Sequence, residues 1–214
     1  MSAENPTFPD ISLVILAGGE ARRLHGRNKA LLELDGESLL ARRIRLLEPL
    51  FGETVVVRGR DSRLPRVPKA VKVATDPVPG AGPLMGLYAG LRRCREDWAF
   101  VTGCDMPFFD RRLFGSLAAR RDDHDAVIPR INGWYEPLFS LYHTRCVEAV
   151  EAHLDRRQIA AFYGSINALY VAAEEITRFD PEMRCFFNIN TEDDLLEARR
   201  IEETHGPDSR TGSP

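Results

Sequence analysis

The stretch Leu16-Ala17-Gly18-Gly19-Glu20-Ala21-Arg22-Arg23-Leu24-His25-Gly26-Arg27-Asn28-Lys29 gathers glycines, arginines and a lysine into one turn. Glycine lets backbone N–H groups approach a phosphate or a base closely. Arg23 and Lys29 carry the charge that balances a polyphosphate. Two better-known nucleotide loops do not fit. Gly18-Gly19 followed by Gly26 is not G-x-G-x-x-G, and Ala30 follows Lys29 where a P-loop has Ser or Thr. A second candidate is Asp105, in Gly103-Cys104-Asp105-Met106-Pro107. An aspartate facing a polyphosphate suggests magnesium, which takes one or two carboxylates and fills its shell with phosphate oxygens and water. Asn188 and Asn190 could hold a metal-bound carboxylate or a phosphate in place. Alone, Asp-x-Pro reads as a turn, Gly82-Pro83 as the start of a helix, and the asparagines as turn and cap residues. Jointly they point to phosphoryl-type chemistry, which rests on positioning and charge neutralisation.

These residues need elements that bring them together. The apolar run Ile11 to Leu16 reads as a buried first strand whose carboxyl end carries the basic loop. Ser38 to Leu50 reads as a helix from the spacing of Leu39, Leu40, Ile44, Leu46 and Leu47. Thr54 to Val57 is a β-branched strand without alternation, as in a parallel sheet. Val71 to Ala74, Trp98 to Thr102, Ala126 to Pro129 and Glu136 to Tyr142 are further strands, and Phe186 to Asn190 reads as a late strand end. Helices are expected from Pro83 to about Arg95, after the cap Asp110, between His143 and Tyr163, and from Glu192 to Glu203. The alternation of strands and helices predicts an α/β fold, a three-layer α/β/α sandwich with a Rossmann-like, mainly parallel sheet. In such a sheet the carboxyl ends of central strands share one rim, where a nucleotide binds.

One domain over 11–203 is expected, with a loose arm over 1–10 and a polar tail over 204–214. A net charge of -3 and a pI near 6.0 argue against a nucleic-acid partner. No apolar run approaches membrane-span length, and Met1 to Asp10 lacks a signal-peptide core. Four scattered cysteines without C-x-x-C, and histidines without helical metal spacing, fit reduced thiols in the cytoplasm. The pairs Arg42-Arg43, Arg92-Arg93, Arg111-Arg112 and Arg199-Arg200 read mostly as solvated helix faces.

With these motifs in order, the chain resembles the molybdenum cofactor guanylyltransferase family, within the nucleoside-triphosphate transferases. The resemblance runs from about Leu13 to Leu196. It is carried by Leu16 to Gly19 with Arg23 and Lys29, by Asp76 with Gly82-Pro83-Leu84 and Gly86, by Cys104 to Phe108, by Glu136 to Phe139, and by Phe187 to Thr191. The resemblance implies transfer of GMP from GTP to the terminal phosphate of molybdopterin, with or without its molybdenum, and release of pyrophosphate. It implies that Leu16, Ala17, Gly18 and Gly19 hold guanine and ribose through backbone groups, and that Asp76 and Gly82 lie at the nucleotide. Arg23 and Lys29 then bind the triphosphate and stabilise the leaving pyrophosphate, Asp105 binds magnesium, and Asn188 and Asn190 face the acceptor. By family habit, a molybdenum-insertion protein or a molybdoenzyme apoprotein is a partner. Leu24, His25, Asn28 and Met85 depart from the family pattern, and Asn28 removes a negative charge beside the lysine. The alternatives are transfer from CTP, transfer to a sugar phosphate, and an inactive nucleotide-binding homologue. Gly18-Gly19 favours guanine over cytosine by the same resemblance.

Overall fold

The computed structural model describes residues 6–18, 20–21, 27–76, 78 and 82–205. An eight-stranded sheet forms its centre. Its strands are β1 (Phe8–Leu16), β2 (Phe51–Arg58), β3 (Lys72–Thr75), β4 (Trp98–Gly103), β5 (Ala126–Ile131), β6 (Trp134–Tyr135), β7 (Phe139–His143) and β8 (Ala168–Ala172). The spatial order is β6-β5-β7-β4-β1-β2-β3, with β8 added beside β5. The pairs β1–β2, β1–β4, β2–β3 and β5–β8 are parallel; β4–β7, β5–β7 and β5–β6 are antiparallel. The sheet is thus mixed, and parallel where the nucleotide chemistry was expected. From β1 the chain builds outward through β2 to β3, then returns to the other side of β1 as β4. The strand order reverses at β1, so a crevice opens beyond its carboxyl end.

Both faces of the sheet are covered. Ile11, Leu13 and Ile15 point into one apolar cluster with α1 (Leu39–Leu47) and α3 (Arg111–Ala118). Val14 and Leu16 point into another with α2 (Pro83–Leu91) and α4 (Val147–Glu151). Burial on both faces is why β1 and β2 read as unbroken apolar runs. α1 starts at the cap Ser38, whose Oγ accepts from the Ala41 N–H at 3.3 Å. α3 starts at Asp110, which accepts from the N–H groups of Arg112 and Leu113. α5 (Ala173–Ile176) and α6 (Glu192–His205) complete the fold. Among the described residues no helix is long and apolar enough to cross a membrane.

Several expectations are corrected. β1 begins at Phe8, so the arm expected over 1–10 overlaps the sheet, and Phe8 is buried among aromatic rings. Phe186 to Asn190 forms no strand. Ile189 is buried with Leu34, Leu39 and Phe108, Phe186 and Phe187 pack partly against the cores, and the Ile189 N–H donates to the Asp105 carbonyl at 2.9 Å without forming a ladder. The helical region before Tyr163 is split into short turns, and β8 follows it unannounced. Arg42 and Arg43 are not solvated: both are buried on the inner face of α1.

Candidate functional site

Cys104 donates its N–H to the Leu16 carbonyl at 3.1 Å, so the turn after β4 lies against the end of β1. The Asp105 carboxylate therefore stands beside the basic loop. Asn28 and Lys29 are the shared start of a short 3-10 turn; the Asn28 side chain caps it by accepting from the Ala30 N–H at 3.0 Å. Asn28 also donates its amide to the Arg63 carbonyl, a bond that an aspartate could not make. Held this way, Lys29 reaches 76 residues along the chain: its Nζ donates to Asp105 Oδ2 at 2.6 Å and to Asn190 Oδ1 at 2.6 Å. The Lys29 and Asp105 side chains are 17% and 14% exposed, so the pair is largely shielded yet open to a ligand. Gly103 matters for the same group. A Cβ there would lie 2.3 Å from Asp105 Oδ1, so only glycine lets the carboxylate fold back over the strand end.

Asn190 owes its position to two local devices. Buried Asp180 accepts from the N–H groups of Arg184 and Cys185 and fixes the turn before the segment. After it, Asp194 Oδ2 accepts from the N–H groups of Asn190 and Thr191, and Thr191 Oγ1 returns a bond from the Asp194 N–H. This reciprocal cap starts α6. Asn188 does not join Lys29. Its Nδ2 donates to the Phe186 carbonyl at 3.0 Å and its carbonyl accepts from Asn190, so it stiffens the segment.

Beside this cluster lies a cleft of about 550 Å³. Leu16, Gly18, Lys29, Asp76, Gly82 and Asp105 all line it, as the sequence had grouped them. Ala17 does not: it faces the core, and its N–H donates to the Val57 carbonyl at 2.8 Å, continuing the ladder. The Leu16 carbonyl is likewise engaged by Cys104, so Leu16 offers the cleft its side chain. Gly18 passes so close to Gly59 that a Cβ would sit 3.1 Å from the Gly59 nitrogen. Asp76 closes the far wall; its N–H donates to the Arg58 carbonyl and its Oδ1 accepts from the Val78 N–H. Burial raises the Asp76 carboxyl above its ordinary value. Gly82 has φ +88, and a Cβ there would lie 2.7 Å from the Arg157 carbonyl oxygen. Gly19 and Arg23 lie outside the described residues.

Sequence reasoning missed two parts, the Arg58 to Ser62 turn and Arg43, and gave Glu136 no role of its own. The turn Arg58 to Ser62 forms one wall of the cleft. Its signal was available: it ends the strand next to β1, where the sheet order reverses. Glu136 is half-buried beside the cleft residue Leu138, and burial raises its carboxyl. Its carbonyl accepts from Ser140 Oγ at 2.7 Å. Arg43, 1% exposed, donates Nη2 to Thr102 Oγ1 at 2.7 Å and Nη1 to the Phe108 carbonyl at 3.1 Å. It clamps both ends of the turn that carries Asp105, and burial lowers it to about 10. Its spacing, four residues after Leu39 and four before Leu47, places it on the buried stripe of α1, a signal that its residue type masked.

For magnesium the donor set is sparse but apt. Among the described residues no group of three or more His, Cys, Asp or Glu side chains converges. One carboxylate lining the cleft is what a cation sharing its shell with substrate oxygens requires.

Residues 13–169 match the MobA-like NTP transferase domain family. The molybdenum cofactor guanylyltransferase of Desulfosudis oleivorans is 33% identical over 188 residues, covering 86% of this chain and 92% of its own. The probable molybdenum cofactor guanylyltransferase of Methanosarcina mazei is 35% identical, covering 86% of this chain and 88% of its own. Among solved structures, the molybdopterin-guanine dinucleotide biosynthesis protein A of Archaeoglobus fulgidus superposes with a TM-score of 0.75 at 30% identity. It covers 90% of this chain and 99% of its own.

Proposed function

The chain belongs to the MobA-like NTP transferase family, and from that premise we propose that it transfers GMP from GTP to the terminal phosphate of molybdopterin. The observation that carries the reading is the convergence of Lys29 on Asp105, both lining the cleft, and on Asn190 beside it. The nucleoside lies between Gly18, the Arg58 turn, Asp76 and Gly82, and the triphosphate runs toward Lys29. The half-buried Asp76 is an acceptor for guanine or ribose N–H or O–H groups.

In the reaction a phosphate oxygen of molybdopterin attacks the α-phosphorus of GTP. The new P–O bond forms as the bond to the β-phosphate breaks, and pyrophosphate carries away the charge. A phosphate monoester is already largely anionic near neutral pH, with a second pKa of about 6. No general base is needed, and the cluster offers charge and orientation instead. Lys29 exchanges Asp105 for the phosphate oxygens when substrate enters, and Arg23 adds a second cation from the same loop. Asp105, with Arg43 fixing its turn, is the residue that holds magnesium, and the ion when bound neutralises charge on the triphosphate. Asn190 keeps Lys29 aimed at the same point, and Asn188 stiffens the acceptor side.

The test is incubation with molybdopterin, magnesium and labelled GTP. The expected products are a guanine dinucleotide and pyrophosphate; no labelled dinucleotide sinks the reading. GTP with magnesium should also raise the melting temperature more than CTP, ATP or UTP, since a ligand that binds the native state stabilises it.

A further inference from the structure

We propose that Trp134 stacks on the pterin ring of the acceptor. This rests on the functional reading above and assigns a contact that the cleft residues leave open. Trp134 is 77% exposed, the most exposed large apolar side chain among the described residues. It makes no ring contact among them, unlike the neighbouring Tyr135, which packs against Tyr163 and Tyr170. Its backbone is fixed. Asn132 and Gly133, at φ +50 and +85, form a tight two-residue turn between β5 and β6. Arg130 lies over the Tyr135 ring and donates Nε to the Gly133 carbonyl. The braced hairpin thus holds the indole at a fixed place on the rim, with its faces clear of other rings among the described residues.

The sheet register says where that ring stands. Phe139 pairs with Thr102 and Leu141 with Val127, so Pro129 lies level with Thr102. The hairpin tip and the Asp105 turn both continue past that level, on the same rim. Trp134 stands on β6, which pairs with β5, and β5 is separated from β4 only by β7; Trp134 therefore lies within three strand spacings of β4, up to about 14 Å at ~4.8 Å per strand. Trp134 pairs with Ile131, and directly opposed residues share a face. Ile131 belongs to the cluster that includes Phe139 and Phe186, whose rings are 5.1 Å apart. Phe186 begins the segment leading to Asn190. Trp134 is therefore on the Asn190 side of the sheet, not on the α2 side where the nucleoside lies. An acceptor with its phosphate at Asp105 and a flat heteroaromatic ring at Trp134 fits within this span. An indole face is suited to such a ring.

The experiment has two independent readouts. In steady-state guanylylation, Trp134→Ala is expected to raise the KM for molybdopterin roughly 5- to 100-fold, the range for loss of one stacked base. The KM for GTP and the melting shift with GTP should stay at parental values, and Trp134→Phe should restore most of the loss. In the second readout, Trp98→Phe leaves Trp134 as the one tryptophan, Trp98 being buried at the far end of β4. A stable 6-alkylpterin phosphate, added without GTP, should quench that emission and fail to quench Trp134→Phe. Parental turnover with an unchanged molybdopterin KM in Trp134→Ala overturns the proposal and leaves guanylylation standing. Absent quenching in Trp98→Phe also overturns it. Quenching in a protein that makes no dinucleotide upholds the stacked pterin and removes the transfer reaction instead.

Discussion

The Lys29–Asp105 pair can be tested by a double-mutant cycle of Asp105→Asn, Lys29→Met and both together. Each substitution keeps the approximate shape and removes one charge. The bond is 2.6 Å long and joins ions that are 17% and 14% exposed. Hydrogen bonds to charged groups contribute about 1.5–3 kcal/mol, while fully exposed pairs contribute about 0–1. The partial shielding puts the coupling at about 1–2 kcal/mol, read by urea or thermal unfolding without nucleotide. For a chain of this length that corresponds to a fall of roughly 2–8 °C in melting temperature for either single variant. Turnover should respond more strongly. Loss of one electrostatic stabiliser costs about 10²–10³-fold. Because Lys29 and Asp105 serve the same triphosphate, the double variant should fall far short of the product of the two single losses. A stability coupling below about 0.3 kcal/mol would place the groups out of effective contact. Parental turnover in Asp105→Asn would remove that carboxylate from the chemistry.

Gly82→Ala should lose stability by about 1–3 kcal/mol, because φ +88 with ψ 178 is a glycine-only conformation and its Cβ meets the Arg157 carbonyl; GTP affinity measured by calorimetry should fall with it. Arg43→Met should destabilise by about 1–3 kcal/mol by orphaning Thr102 and the Phe108 carbonyl, and should lower kcat more than it raises the KM for GTP. Glu136→Gln should stabilise the fold at pH 7. Burial raises this carboxyl, so its charge penalty is complete above the raised value, and the gain should vanish below its ordinary 4.5. A melting-temperature series from pH 4 to 8 reads the trend, and a gain that grows on acidification contradicts the assignment.

Part of the candidate site was legible from residue types, and Asp76 and Gly82 came only with the family resemblance. Gly18, Lys29 and Asp105 are residue types suited to a polyphosphate at the ends of strands, and strand ends in a parallel sheet meet at one rim. α1, β1 and β2 were legible because burial on one stripe or on both faces leaves a period in the sequence. What stayed hidden depends on contacts between distant segments. The apolar segment from Phe186 to Asn190 reads as a strand end, yet its side chains are buried in a loop that one backbone bond ties to Asp105. Arg43 and Arg92 are the same residue type at helical or near-helical positions; packing buries one and leaves the other in water. Ala17 sits inside the nucleotide motif, but the side-chain alternation of β1 turns it into the core. Composition and spacing determined the chemical groups and the order in which the chain delivers them. Only the folded sheet decided which of those groups touch, because a hydrogen bond of 2.6 Å between residues 76 positions apart is set by strand register and close packing, and neither has a local signature.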